Sequence, residues 1–132
     1  MQKLLFTGGT GFLGHNVKPM LEKRYDVTTI GITDEDMLKA NLAKEMPTLP
    51  EHYDVVLHAA GKAHMYPKTE EERQAFYDVN YLGTVNLCEA LDKAGLPKSF
   101  VFISTLDVYG VDGAKGYDEN YPPPSGFTLC KE

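Results

Sequence analysis

A three-layer α/β fold around a doubly wound parallel sheet is predicted here by three observations. Short apolar runs of strand length recur along the 132 residues, each leads into a turn rich in Gly, Ala, Ser or Thr, and helical stretches lie between them. The alternation is β-α-β throughout, and short, wholly apolar strands belong in a parallel sheet covered on both faces. The length fits one domain with a real core.

The first strand, Lys3 to Phe6, runs into Thr7-Gly8-Gly9-Thr10-Gly11-Phe12-Leu13-Gly14, which contains both Gly9-x-Gly11-x-x-Gly14 and Gly8-x-x-Gly11-x-x-Gly14. Glycines at these places allow a tight turn, a close approach of backbone to phosphate, and packing of the following helix on the strand. The helix start offers unpaired N–H groups and a partial positive charge. In the order strand, loop, helix, this is a Rossmann-like site for a dinucleotide pyrophosphate. Helical periodicity then continues to about Arg24: Phe12, Leu13, Val17, Met20 and Leu21 form one apolar stripe, with Pro19 discordant.

The second strand is Val27 to Ile30. After it, Asp34-Glu35-Asp36 reads as a solvated turn. Asp34 follows Gly14 by about 20 residues, the distance at which an acid takes a ribose 2′-hydroxyl and disfavours a 2′-phosphate, so NAD is expected over NADP. Met37 to Leu42 fits a short edge strand. Asp54 to His58 is the next buried strand, followed by Ala59-Ala60-Gly61.

A long helical stretch runs from Thr69 to Ala94 and stops at Gly95, with Pro97 just beyond. Thr69-x-x-Glu72 is a capping-box pattern, which assigns Glu70-Glu71-Glu72 to a first helical turn rather than to a binding surface. Val79, Gly83, Leu87, Ala90, Leu91 and Ala94 make one continuous face for packing on a sheet. Ser99 to Ile103 is the last strand. From Gly110 to Gly126 the chain is loop-like, and another helix begins near Phe127.

Thirteen Lys and Arg against nineteen Asp and Glu give a net charge of −6, with the basic residues scattered. Nucleic acid and anionic membrane are thereby poor partners. Cys88 and Cys130 have no metal or redox spacing and suit a reducing compartment, so the cytoplasm is the expected location. The apolar part of Met1 to Phe6 is too short for a signal peptide, and no later run reaches membrane-span length. His58 and His64 make no metal site without a third ligand.

The motifs TGGTGFLG, then His58-Ala59-Ala60-Gly61, then Asn80 within VNYLGTVNL, then Ser104-Thr105-Leu106-Asp107-Val108-Tyr109-Gly110 occur in an order that resembles the extended short-chain dehydrogenase/reductases. The likeness is to the NAD-dependent epimerase/dehydratase group acting on nucleotide sugars, and it runs from Lys3 to about Tyr109 before fraying beyond Tyr121. It implies that Gly8, Gly11, Phe12, Leu13 and Gly14 surround the pyrophosphate. Asn41-Leu42 sits where the family has Asp-Leu against adenine, and an amide oxygen can still accept from an adenine amino group. Ala59, Ala60 and Gly61 are small where ribose and phosphates pass. Asn80 resembles a helix Asn that holds the cofactor region, although a solvent-facing Asn has the same appearance in sequence.

The family's catalytic set is a Ser or Thr, a Tyr base and a Lys four residues later. Thr105 takes the first role, with Ser104 as the fallback. The other two positions resemble Phe127-x-x-x-Lys131, in which Phe127 cannot exchange a proton. Either a Tyr has been replaced by Phe, or the tail no longer follows the family. Thr105-Leu106-Asp107 lacks one of the two acids that the family's 4,6-dehydratases use to eliminate water. Oxidation and reduction at a sugar carbon is therefore expected ahead of dehydration.

The resulting expectation is a truncated Rossmann-like domain over residues 1–132, without the C-terminal substrate-binding part. It is the NAD-binding portion of a nucleotide-sugar epimerase/dehydratase-like oxidoreductase, inactive alone and homo-oligomeric. The alternative is a non-catalytic dinucleotide-binding module. Residues encoded beyond Glu132 discriminate the two.

Overall fold

The computed structural model describes residues 1–63, 66–104 and 120. Five strands form one sheet: β1 (Gln2–Thr7), β2 (Tyr25–Gly31), β3 (Leu38–Lys39), β4 (Val55–His58) and β5 (Ser99–Phe102). The order is β3-β2-β1-β4-β5, with every pairing parallel. β1 is therefore central, and the chain turns from one side of it to the other between β3 and β4. In open parallel sheets, ligands bind at such a reversal, beyond the carboxyl ends of the strands. The Rossmann-like fold expected from the sequence is present, including the edge strand, of which Leu38 and Lys39 pair with β2.

Each face of the sheet has its own core. On one, Leu5, Ile30, Val56 and Tyr53 pack with Leu87 and Leu91 of helix α3 (Gly83–Ala94), joined by Ala40 and Leu42. The predicted helical face is realised: Gly83, Leu87, Ala90 and Leu91 are buried. On the other face, Leu4, Phe6 and Val27 pack with Leu21 of helix α1 (Phe12–Leu21) and with Tyr25, Val55 and Leu57.

The α1 stripe expected from periodicity packs only in part, through Val17 and Leu21. Phe12 is 89% exposed and Met20 67%. The reason lies at Gly14, which is pressed so closely under the loop that a Cβ there would come within 2.4 Å of Gly8 O and of Gly9. This contact turns the line Gly14, Val17, Lys18, Leu21 toward the sheet, and all four are buried or half-buried. Phe12 and Met20 lie off that line.

The stretch predicted as one helix from Thr69 is α2 (Glu70–Tyr77), a π-helical segment (Asp78–Leu82) and α3 in direct succession. Both halves of the capping box form at its start, with Glu72 N donating to Thr69 Oγ1 at 3.1 Å. At its end Gly95 takes φ +105°, which glycine reaches without a Cβ penalty.

Candidate dinucleotide site

A cleft opens where the strands end around the reversal in the sheet. It is lined by Gly8, Thr10 and Gly11 after β1, by Gly31 to Thr33 and Asp36 after β2, by Ala40 to Ala43, by His58 to Gly61, and by Val79 and Gly83. Three loops after three neighbouring strands thus share one cavity.

Gly8 has φ +76°, and a Cβ on it would lie 2.7 Å from the backbone of Ala59 and Ala60. The phosphate loop can therefore lie directly on the segment after β4 only with glycine here. Gly11 differs: its added Cβ would meet nothing nearer than Gly8 O at 3.5 Å, and the residue is exposed. Its bareness serves the cleft rather than the fold. Gly11 is also the N-cap of α1 and brings no side-chain acceptor to that helix start, leaving first-turn N–H groups for an anion. A glycine-lined cradle before an uncapped helix fits a pyrophosphate.

Of the other residues expected around the pyrophosphate, Phe12 and Leu13 are exposed at the helix start and Gly14 is buried beneath the loop. None of the three lines the cleft. Asn41, Leu42, Ala59, Ala60 and Gly61 do. Asn41 Oδ1 already accepts from Ala43 N at 3.1 Å, so a ligand amino group would find its second lone pair.

The acids after β2 divide differently from expectation. Asp34 is fully exposed, has its carboxylate 3.9 Å from Lys39 Nζ, and does not line the cleft. Asp36, read as part of a solvated turn, is only 6% exposed and does line it. The turn folds back so that Asp36 Oδ2 accepts from Thr33 N at 3.1 Å and from Thr33 Oγ1 at 2.8 Å. Asp36 Oδ1 is buried and has no hydrogen-bond partner among the described residues. Gly31 makes room: a Cβ there would lie 2.5 Å from Asp36 Oδ2. A buried carboxylate oxygen left unpaired is costly in isolation.

Asn80 projects from the π-helical segment and holds the loop after β4. Its Oδ1 accepts from Lys62 N at 2.8 Å, and its Nδ2 donates to Lys62 O at 3.1 Å. Of the two readings the sequence allowed, the amide is engaged with the loop rather than with solvent. The π-helical turn, with Gly83 N bonded to Asp78 O, is a feature that concentrates at functional sites. Nothing in the apolar spacing announced it.

His58 is 1% exposed and both ring nitrogens are engaged, Nδ1 with Thr7 Oγ1 at 2.6 Å and Nε2 with Thr84 Oγ1 at 2.8 Å. Burial lowers its pKa from 6.5 to about 4, so the ring is neutral. His64, Thr105, Phe127 and Lys131 lie outside the described residues, and the catalytic roles expected of the last three are carried by the sequence alone. No helix among the described residues is long and apolar enough to cross a membrane.

The profile of the NAD dependent epimerase/dehydratase family matches residues 4–131, past Tyr121, beyond which the motif resemblance frays. A UDP-glucose 4-epimerase of Vibrio cholerae is 30% identical over 147 residues, an alignment that takes in 98% of this chain and 44% of the relative. Among solved structures, RMD from Pseudomonas aeruginosa complexed with NADPH superposes with a TM-score of 0.71 at 28% identity, covering 94% of this chain and 43% of that one. The uronate dehydrogenase of Agrobacterium tumefaciens complexed with NAD gives 0.62 at 25% identity, over 80% and 41%. The chain thus spans less than half the length of each.

Proposed function

The chain belongs to the NAD dependent epimerase/dehydratase family, and on that premise we propose that it is the dinucleotide-binding portion of a nucleotide-sugar oxidoreductase, working in the cytoplasm with NAD in preference to NADP. The observation that carries the cofactor preference is Asp36, an acid that lines the cleft just after β2 and whose buried Oδ1 has no hydrogen-bond partner among the described residues. A carboxylate oxygen without a partner accepts from a ribose hydroxyl and repels a 2′-phosphate. The glycines at positions 8 and 11 and the start of α1 hold the pyrophosphate, and Ala59 to Gly61 leave room beside it. When bound, nicotinamide supplies hydride chemistry at a sugar carbon.

Within that chemistry Thr105 donates a hydrogen bond to the reacting hydroxyl and Lys131 adds positive charge near the ribose. If Phe127 stands for the family's proton-transferring Tyr rather than belonging to a divergent tail, the sequence favours a second reading, a dinucleotide-binding module without turnover. Residues 1–132 form one NAD(P)-binding domain under either reading, and a substrate-binding part would be supplied by further sequence.

Titration calorimetry with NAD and NADP on the chain and on Asp36→Asn tests the reading. NAD should bind more tightly to the unmodified chain by about tenfold, the scale of one lost or repulsive charged contact, and the variant should narrow that ratio. Equal or tighter binding of NADP by the unmodified chain overturns the preference. Binding of neither overturns the function.

A further inference from the structure

The sequence offered His58 only as half of an improbable metal pair, and the cofactor cradle does not need it as a ligand. Its surroundings nevertheless fix its proton. Thr84 Oγ1 gives its single hydrogen to Asn80 O at 2.8 Å, so at its contact with His58 Nε2 it can only accept, and Nε2 must carry hydrogen. On the opposite side Thr7 Oγ1 accepts from Ala59 N at 3.1 Å and from Ala60 N at 3.0 Å. Both of its lone pairs are then used, and its hydrogen must go to His58 Nδ1. Two independent neighbourhoods demand the same neutral Nε2–H tautomer.

These bonds form one directed chain. It starts at the amides of Ala59 and Ala60, passes through the Thr7 hydroxyl, the imidazole and the Thr84 hydroxyl, and ends at the Asn80 carbonyl. Thr7 is the last residue before the phosphate loop, and Gly8 lies directly on Ala59 and Ala60. Asn80 in turn clamps Lys62. The ring therefore sits at the junction of the three segments that the dinucleotide must touch together.

We propose that His58 is a positioning residue for the dinucleotide: held as the neutral Nε2–H tautomer, it sets the gap between the phosphate loop and residues 59–61. The proposal rests on the dinucleotide reading. It assigns His58 no contact with the reacting atoms.

Two measurements test it. Long-range 15N NMR of histidine-labelled chain at neutral pH, without cofactor, should show His58 Nε2 protonated and Nδ1 bare. Calorimetry with NAD should then separate His58→Asn, whose Oδ1 can still accept from Thr7, from His58→Leu, which cannot. The Leu variant should bind about tenfold more weakly, the scale of one hydrogen bond left unmade, and the Asn variant should recover most of that loss. Thr84→Val leaves the Thr7 side intact and removes the Nε2 contact together with the Thr84 bond to Asn80 O. Should the Leu variant fail to fold, Thr84→Val takes its place and should weaken NAD binding in the same direction. A mixed or Nδ1–H tautomer, equal losses in the Asn and Leu variants, or undiminished binding by Thr84→Val overturns the positioning role while leaving NAD binding intact. A chain with the expected tautomer that binds no NAD instead overturns the functional reading, and the positioning role with it.

Discussion

Gly11 and Gly14 stand three residues apart in one motif and do different work. A side chain at Gly11 meets only ordinary contact at 3.5 Å, whereas one at Gly14 would overlap Gly8 and Gly9 at 2.4 Å. Gly11→Val should therefore fold and lose NAD, with its melting temperature near that of the parent. Gly14→Ala should lose about 1–3 kcal/mol of stability, the usual cost of overpacking. Calorimetry paired with thermal melts separates the two, and a Gly11→Val protein that still binds NAD would mean the phosphates lie elsewhere. At the same scale, His58 makes stability depend on pH. Its pKa falls from 6.5 to about 4 on folding because burial disfavours the charged ring. Below 6.5 the unfolded chain takes up a proton that the folded one refuses, so stability declines as pH drops from 6.5 and levels off near 4. The full loss is about 3 kcal/mol. Chemical denaturation at a series of pH values should show this slope in the parent and not in His58→Asn.

At the scale of elements, the strands and the helix that packs by Gly83, Leu87, Ala90 and Leu91 were legible because period and punctuation report them directly. α1 was misread in part. Its apolar residues do share a stripe, but a single close contact at Gly14 outranks the side-chain pattern in orienting the helix, and glycine carries no hydrophobic signal. The residue count from Gly14 points to Asp34 rather than Asp36 because spacing alone does not report the turn folding back through Thr33. The partners of His58 were invisible for a related reason, being 51 and 26 residues away. The π-helical segment carries a testable duty through Asn80, whose amide makes two bonds to Lys62 backbone. Asn80→Ala should cost about 1–3 kcal/mol, the usual net worth of two hydrogen bonds, and should speed hydrogen exchange at the Lys62 amide. Unchanged exchange there would show that the loop is held by something other than this clamp.

For the molecule as a whole, β5 is one of the two edges of the sheet among the described residues. Phe100, Val101, Phe102 and the following Ile103 are 38–45% exposed, and an exposed apolar strand at an edge invites pairing with another copy. The 132-residue chain should self-associate in light scattering from micromolar to millimolar concentration, and replacing Val101 with Lys should reduce it. A clean monomer throughout that range would contradict the homo-oligomer expectation.

The central place of β1 has a temporal side. Leu4 pairs with Val27 on one flank and with Val55 on the other, so a ribosome releases the first partner well before the second. At roughly 5–20 residues per second, the 28 residues from Val27 to Val55 leave one rim of β1 bare for roughly 1–6 s. During that interval Leu4, Leu5 and Phe6, fully enclosed in the finished molecule, are open to capture by a chaperone or by a neighbouring nascent chain. Synonymous codons that slow translation between those two strands should lengthen the interval and lower soluble yield, with no change in the mature protein.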